Sequence, residues 1–393
     1  MPKASLRMTE FILLFSLTTA LTAMSIDTIL PALRPMGRAL AVADPNDVQL
    51  VVSMFVLGMV LGELVFGVLA DAYGRKLTIQ IGLGIFAIGC VVSVLAGSLE
   101  VVLVGRFIQG IGAAGPKIGS RALIRDRFEG AEMARVMSFI MMIFALTPMI
   151  APALGQIIVA YGGWQSVFAV FLAAALVISL WMGLRQPETL PPKDRRPFVP
   201  QALVAATREC FSYRIFTLST AVQALAFGML FGCLSSTQQI FEVTYGRGDE
   251  FPFWFAIIAL VSGTASILNA RLVVRVGMQR MISAGFGLQI VFSLAVLFSG
   301  LTGGVPFALY LVWTTSLFFM AGLVIGNLNA LAMEPTGHIA GLAASIIGAT
   351  STVLGVVIAA PIGLAFNGTP LPLASATAAL SILSFTMVKR GLR

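Results

Sequence analysis

Four ionisable residues, Asp27, Glu63, Arg106 and Lys117, stand inside long apolar runs of the sequence. A charge at the centre of a hydrocarbon layer costs about 2.5–3.5 kcal/mol, so each must be paired or used. At helical rise, Asp27 lies roughly 10 Å and Arg106 roughly 8 Å from the same side of the layer. Comparable depth makes them candidates for one site. Burial there favours a neutral carboxyl, whereas a neighbouring guanidinium favours an ionised one. These opposed influences suit a proton acceptor, Asp27, tuned by Arg106; a static ion pair is the plainer alternative. Glu63 and Lys117 each lie eight residues before a charged run end, Asp71 and Arg125. That matches their depths at roughly 12 Å from the opposite side. Either they form a buried ion pair, or Lys117 attracts an anionic ligand group while Glu63 carries a proton.

The composition says what holds these residues. Of 393 residues, 58% are hydrophobic and 11% charged, against about 45–50% and about 25% in soluble globular chains. Seventeen acids and twenty-five bases cannot clothe a soluble surface of this size. A membrane-crossing helix needs about 20 mostly apolar residues. Measured this way, the chain contains twelve runs: 9–32, 49–70, 77–97, 101–122, 136–159, 165–184, 214–239, 252–273, 281–300, 306–331, 339–362 and 370–388. The expected class is an all-α polytopic membrane protein with twelve transmembrane helices. The first run is too long for a signal-peptide core and reads as a retained helix.

Positive residues in short loops orient such helices. With a cytoplasmic N-terminus, twenty Lys and Arg fall on the cytoplasmic side and only Arg34, Arg38 and Arg247 opposite. Both termini are therefore expected in the cytoplasm, and the net charge of +8 is a topology signal rather than a nucleic-acid footprint. The proline-containing connection 185–213 divides an N-terminal six-helix bundle, 1–184, from a C-terminal one, 214–393. Parallel repeats of this kind suit a substrate cavity between them near the midplane. Cys90, Cys210 and Cys233 are scattered, and His338 is the only histidine. No disulfide framework, metal site or Ser-His triad is expected, nor any cofactor. The chain has no phosphate-binding G-x-x-x-x-G-K-[ST] loop, which argues against direct ATP coupling.

Between the second and third runs stands Gly67-Val68-Leu69-Ala70-Asp71-Ala72-Tyr73-Gly74-Arg75-Lys76. It resembles the G-x-L-a-D-r-x-G-r-k signature of the major facilitator superfamily. Gly67 is expected to permit close helix approach and Gly74 a tight turn with positive φ. Asp71 would accept hydrogen bonds from a helix N-terminus across the two halves, with an arginine from Arg121, Arg125 or Arg127 as a second partner. The equivalent second-half loop, Arg271 to Arg280, aligns Gly277 with Gly74 but puts Val274 where Asp71 would stand. Arg106-Phe107-Ile108-Gln109-Gly110 looks like the R-x-x-q-G pattern of proton-coupled facilitators. Pro148-Met149-Ile150-Ala151-Pro152-Ala153-Leu154-Gly155 is similar to the helix-5 pattern of the Bcr/CflA branch of drug:proton antiporters. Asp27-Thr28-Ile29-Leu30-Pro31 and Asn329-Ala330-Leu331-Ala332-Met333-Glu334 point the same way. Departures are Ala145-Leu146-Thr147-Pro148 in place of a G-x-x-x-G-P opening, and the charges of Glu63 and Lys117.

The resemblance implies two pseudo-symmetric six-helix bundles and a monomer in the bacterial inner membrane, exporting small amphipathic compounds in exchange for protons. Candidate cavity residues are Gln109, Lys117, Gln223, Asn269, Asn327 and Asn329, with Met141, Met142, Phe144, Phe227 and Phe231 as an adaptable apolar lining. An alternative cargo is an endogenous anionic metabolite or a siderophore. A membrane-embedded sensor or enzyme is disfavoured, because the chain offers no catalytic cluster and no sizeable extramembrane domain.

Overall fold

The computed structural model describes residues 7–128, 130–195 and 200–391. Within these ranges the side chains of 130–135, 137–138, 141–146, 148–149, 194, 200–203, 206, 337–338 and 340–342 are outside the description. The chain is almost wholly helical: α1 (Met8–Asp27), α2 (Leu33–Ala39), α3 (Leu50–Tyr73), α4 (Arg75–Val94), α5 (Leu99–Arg127), α6 (Gly130–Gly162), α7 (Gln165–Arg185), α8 (Pro200–Ser212), α9 (Arg214–Gln239), α10 (Phe251–Val276), α11 (Met278–Thr302), α12 (Phe307–Met333), α13 (Ala340–Leu364) and α14 (Leu371–Gly391). Among the described residues ten helical spans are long and apolar enough to cross a membrane. Two further long helices, α5 and α6, coincide with the remaining predicted runs, so the twelve runs correspond one for one to twelve helices of 20 residues or more.

Three local departures from the twelve runs stand out. The first run breaks after Asp27 and continues as a short 3-10 turn, Leu30–Ala32, and then α2. Proline at position 31 has no N–H to donate to the carbonyl of Asp27 four residues earlier, so the helix ends there. The connection read as a linker contains α8, which packs against α9 and α13, and Cys210 at its end joins a buried cluster with Phe216, Ile346 and Ile347. After α9 the chain widens into one π turn, Ile240–Thr244.

The chain divides into two compact units, Met1–Val199 and Pro200–Arg393. In the first, α5 packs against both α3 and α4, α4 also against α7, and α1 against α5, α6 and α7. In the second, α12 packs against α10 and α11, α11 against α14, and α9 against α12, α13 and α14. Numbering the six long helices of each unit from one, the same six neighbour pairs recur: 4 with 2 and 3, 3 with 6, and 1 with 4, 5 and 6. Each unit is thus a copy of one topology. Large apolar side chains left exposed, such as Ile88 at 58%, Leu180 at 64% and Phe298 at 70%, suit acyl chains rather than water.

Glycine sets how closely α5 is approached. A Cβ on Gly110 would stand 2.8 Å from the Met59 nitrogen, and one on Gly112 would stand 2.6 Å from Phe86 Cα; Gly115 and Gly82 face each other across α4 and α5 in the same way. Small residues at such crossings allow backbones to touch, which is how apolar helices gain contact energy in lipid. Gly67 is not one of these residues. A Cβ there would meet nothing within 4 Å, contrary to the close approach expected of it.

Candidate functional site

The break after α1 builds the first site. Asp27 is the last residue of α1 and is 6% exposed. Its carboxylate has no ion-pair or hydrogen-bond partner among the described residues. Thr28 follows it, fully buried, its Oγ1 also without a partner. Gly155 on α6 brings its helix against this turn: a Cβ there would lie 3.2 Å from Thr28 Cα. The proline-glycine pattern on the fifth long helix thus meets the aspartate segment.

Arg106 on α5 is completely buried. Its Nε donates to the Val51 carbonyl at 3.1 Å, Nη2 to the Ser25 carbonyl at 3.0 Å, and Nη1 to Gln109 Oε1 at 2.7 Å. Its Cζ lies 4.2 Å from the Phe55 ring centroid. The static pair with Asp27 is absent. Arg106 reaches instead the backbone two residues before Asp27, pinning α3 and α5 to the end of α1. A buried guanidinium and a buried carboxyl therefore share one unit without contacting each other. A lysine could not reproduce this fork of donors. Arg106→Lys leaves at least one of these acceptors without its donor and is expected to lower the thermal midpoint of the purified protein by a few degrees.

Glu63 on α3 and Lys117 on α5 do meet, in an ion pair whose side chains are 19% and 27% exposed. Pro116 precedes Lys117 inside the helix, and its Cδ sits against Gly82 of α4.

The third cluster surrounds the α3–α4 turn. Gly74 makes that turn with φ +109°, a region open to glycine. Arg75 Nη1 donates to Asp71 at 2.5 Å, and Nε donates to Asp126 at the end of α5 at 2.9 Å. The arginine on Asp71 is therefore its neighbour one turn along, not Arg121, Arg125 or Arg127. Arg121 and Arg125 are exposed, and Arg127 stacks over Phe11 with Cζ 4.7 Å from the centroid.

Sequence reasoning missed Glu188. Its carboxylate accepts the backbone N–H groups of Arg75 at 2.9 Å and Lys76 at 3.1 Å, capping the start of α4 from the segment after α7. Free amides at a helix start favour an acidic partner, but nothing in the spacing of Glu188 links it to a turn 112 or 113 residues earlier. A Cβ at Gly74 would run into this carboxylate, 2.8 Å from Cδ. Glu188→Ala should remove about 1 kcal/mol of stability, the usual worth of a cap, read as a fall of a few degrees in the thermal midpoint.

The second unit repeats the turn without its charges. Gly277 has φ +88°, and Val274, in the place of Asp71, is 88% exposed. Two residues after each glycine, a side chain ties the third helix to the sixth: Lys76 Nζ donates to the Gly183 carbonyl at 2.7 Å, and Gln279 Nε2 to the Val388 carbonyl at 3.3 Å.

The expected cavity residues fare unevenly. Gln109 is fully buried, its amide engaged by Arg106 and by Cys90 Sγ at 3.1 Å. Its side chain thus lies inside the first unit. Gln223 is 1% exposed and donates to Ser351 Oγ at 3.1 Å, while its Oε1 has no partner. Asn327 donates to Asn269 Oδ1 at 2.7 Å, linking α12 to α10, and Asn329 turns back on the Ile325 carbonyl at 2.9 Å. Phe227 and Phe231 stack on α9 with centroids 5.4 Å apart. The side chains of Met141, Met142 and Phe144 lie outside the described residues.

Twelve long helices in two topological copies, with ionisable residues inside the first, second and fourth, define a polytopic membrane protein of two repeats. A family model for the Major Facilitator Superfamily matches residues 15–360. The chain belongs to that superfamily and is a transporter, not an enzyme. It is 27% identical to a bicyclomycin resistance protein homolog of Haemophilus influenzae, over 88% of this chain and 87% of that one. It is 25% identical to multidrug resistance protein D of Escherichia coli, over 87% and 85%. A crystal structure of a D-xylose-proton symporter covers 97% of both chains with a TM-score of 0.79 at 15% identity, a likeness of fold.

Proposed function

We propose that this chain exports small amphipathic compounds across the bacterial inner membrane in exchange for protons, by alternating access of its two six-helix units. The observation that carries this reading is Asp27: a buried carboxyl at a helix break, beside an unpartnered hydroxyl and one short step from a buried arginine. Such a group holds or releases its proton according to what water, substrate or cation stands near it. Cargo entering from the cytoplasmic side would displace the proton, and reprotonation from outside would bias the return. The names of the resistance-protein relatives support the cargo class, and the asymmetry of basic residues supports cytoplasmic termini. The unit of function is taken to be the monomer, with Asp71, Arg75, Lys76 and Gly74 as the gate turn.

Transport of a bare anionic metabolite gains nothing from Lys117, because Glu63 already neutralises it. In everted vesicles energised to an acid interior, a cationic amphiphile should dissipate the pH gradient only when the protein is present. An amphiphile-independent gradient would contradict the reading.

A further inference from the structure

The Glu63–Lys117 ion pair has no part in the proton chemistry assigned to Asp27. Its setting on α3 and α5 says what borders it. Leu61 and Val65, 40% and 50% exposed, are two positions either side of Glu63. At roughly 100° per residue they point away from it, so the lipid-suited face of α3 is not the face that holds the carboxylate. On the carboxylate's own face, one turn further on, space is open around Gly67. The pair is itself only partly covered. Charges left partly open at membrane depth border water, because hydrocarbon would not solvate them.

We propose that this ion pair is a binding site for zwitterionic ligands that carry an ammonium and a carboxylate close together. The ligand enters by exchange: its carboxylate takes the Lys117 ammonium and its ammonium takes the Glu63 carboxylate. The reason is charge balance. A cationic ligand on Glu63 would leave Lys117 without its partner, an anionic one on Lys117 would leave Glu63 so, and a charge left unpaired at membrane depth is unfavourable. A neutral ligand leaves the pair closed and gains nothing from it. Only a ligand with both charges opens the pair and leaves every charge compensated. The proposal rests on the transport reading above and names a cargo class for it.

The test uses one scaffold in four charge states: L-phenylalanine, its N-acetyl anion, its methyl-ester cation and the neutral N-acetyl methyl ester. Retention is measured by equilibrium dialysis against the purified full chain in lipid nanodiscs. The protein should retain the zwitterion at least tenfold more tightly than each of the others. Glu63→Gln/Lys117→Met removes both charges together, so it should fold, and the preference should fall below threefold. Lys117→Met alone should turn the preference toward the cation, and Glu63→Gln alone toward the anion; a pair that merely braces the helices would give no such inversion. Equal retention of all four, no retention of any, preference for a singly charged form, or a zwitterion preference surviving in the double variant would overturn the proposal. Proton-driven export of a cationic amphiphile, measured in parallel, separates failures. Loss of coupling with the preference intact refutes the exchange mechanism alone; coupling without the preference refutes only this site.

Discussion

Asp27→Asn is expected to abolish uphill, proton-driven export, at least a hundredfold, while leaving substrate binding and downhill movement within about threefold. The amide keeps nearly the volume and polarity of the acid but cannot exchange a proton. Because Asp27 has no ion-pair or hydrogen-bond partner among the described residues, the substitution breaks no contact there, and the variant should fold at wild-type yield. That separates it from Arg106, whose donors hold two backbone carbonyls and a glutamine amide. A change at Arg106 therefore disturbs position as well as charge. Export by reconstituted protein, driven by a pH gradient and compared with exchange at equal pH on both sides, reads the two effects apart. Asp27→Glu should restore part of the lost coupling, since a carboxyl is again present one methylene further out.

The largest effect on folding is expected at the α5 crossings. Gly112→Val places a branched side chain where a Cβ alone would stand 2.6 Å from Phe86 Cα and 2.7 Å from the Gly82 carbonyl oxygen. Overpacking against movable side chains costs about 1–3 kcal/mol. Here the neighbours are backbone atoms of α4, which cannot step aside without separating the helices, so the penalty should exceed that range. Gly110→Val meets the same obstacle on the α3 side, against Phe55 and Met59. Both variants should lose the monodisperse peak on size-exclusion chromatography in mild detergent. Gly67→Val is the control, because that site is open, and it should elute as the wild type does. Gly326→Val on α12, whose Cβ would also meet nothing within 4 Å, is a second control from the other unit.

The twelve helices were legible because hydropathy over about 20 residues reports the transfer energy that decides whether a segment crosses. For α9 the predicted run, 214–239, has the bounds of the helix. Charge depth was also legible: Glu63 and Lys117, each eight residues before a charged run end, meet. The break at Asp27 carried a usable signal in Pro31, which acts four residues upstream and so is easily read past. The roles of individual glycines were not legible. Gly67 and Gly112 look alike in sequence, and only the packing shows that one faces open space and the other a neighbouring backbone. Glu188 lies in a non-helical segment whose course no periodicity encodes, and the Asn269–Asn327 pair depends on helix rotation, which an all-round apolar helix does not encode. For the same reason Gln109 looked like a cavity residue yet turns inward to Arg106 and Cys90.

If Asp27 exchanges its proton for cargo, that proton must appear in solution when cargo binds. The most direct measurement is the proton count on binding. Purified protein in weakly buffered detergent solution, with a pH indicator dye, is mixed with saturating cationic amphiphile. Release of about one proton per binding event is expected from the wild type, and none from Asp27→Asn although the amphiphile still binds. Equal release from both proteins would show that the proton comes from elsewhere and that Asp27 is not the carrier.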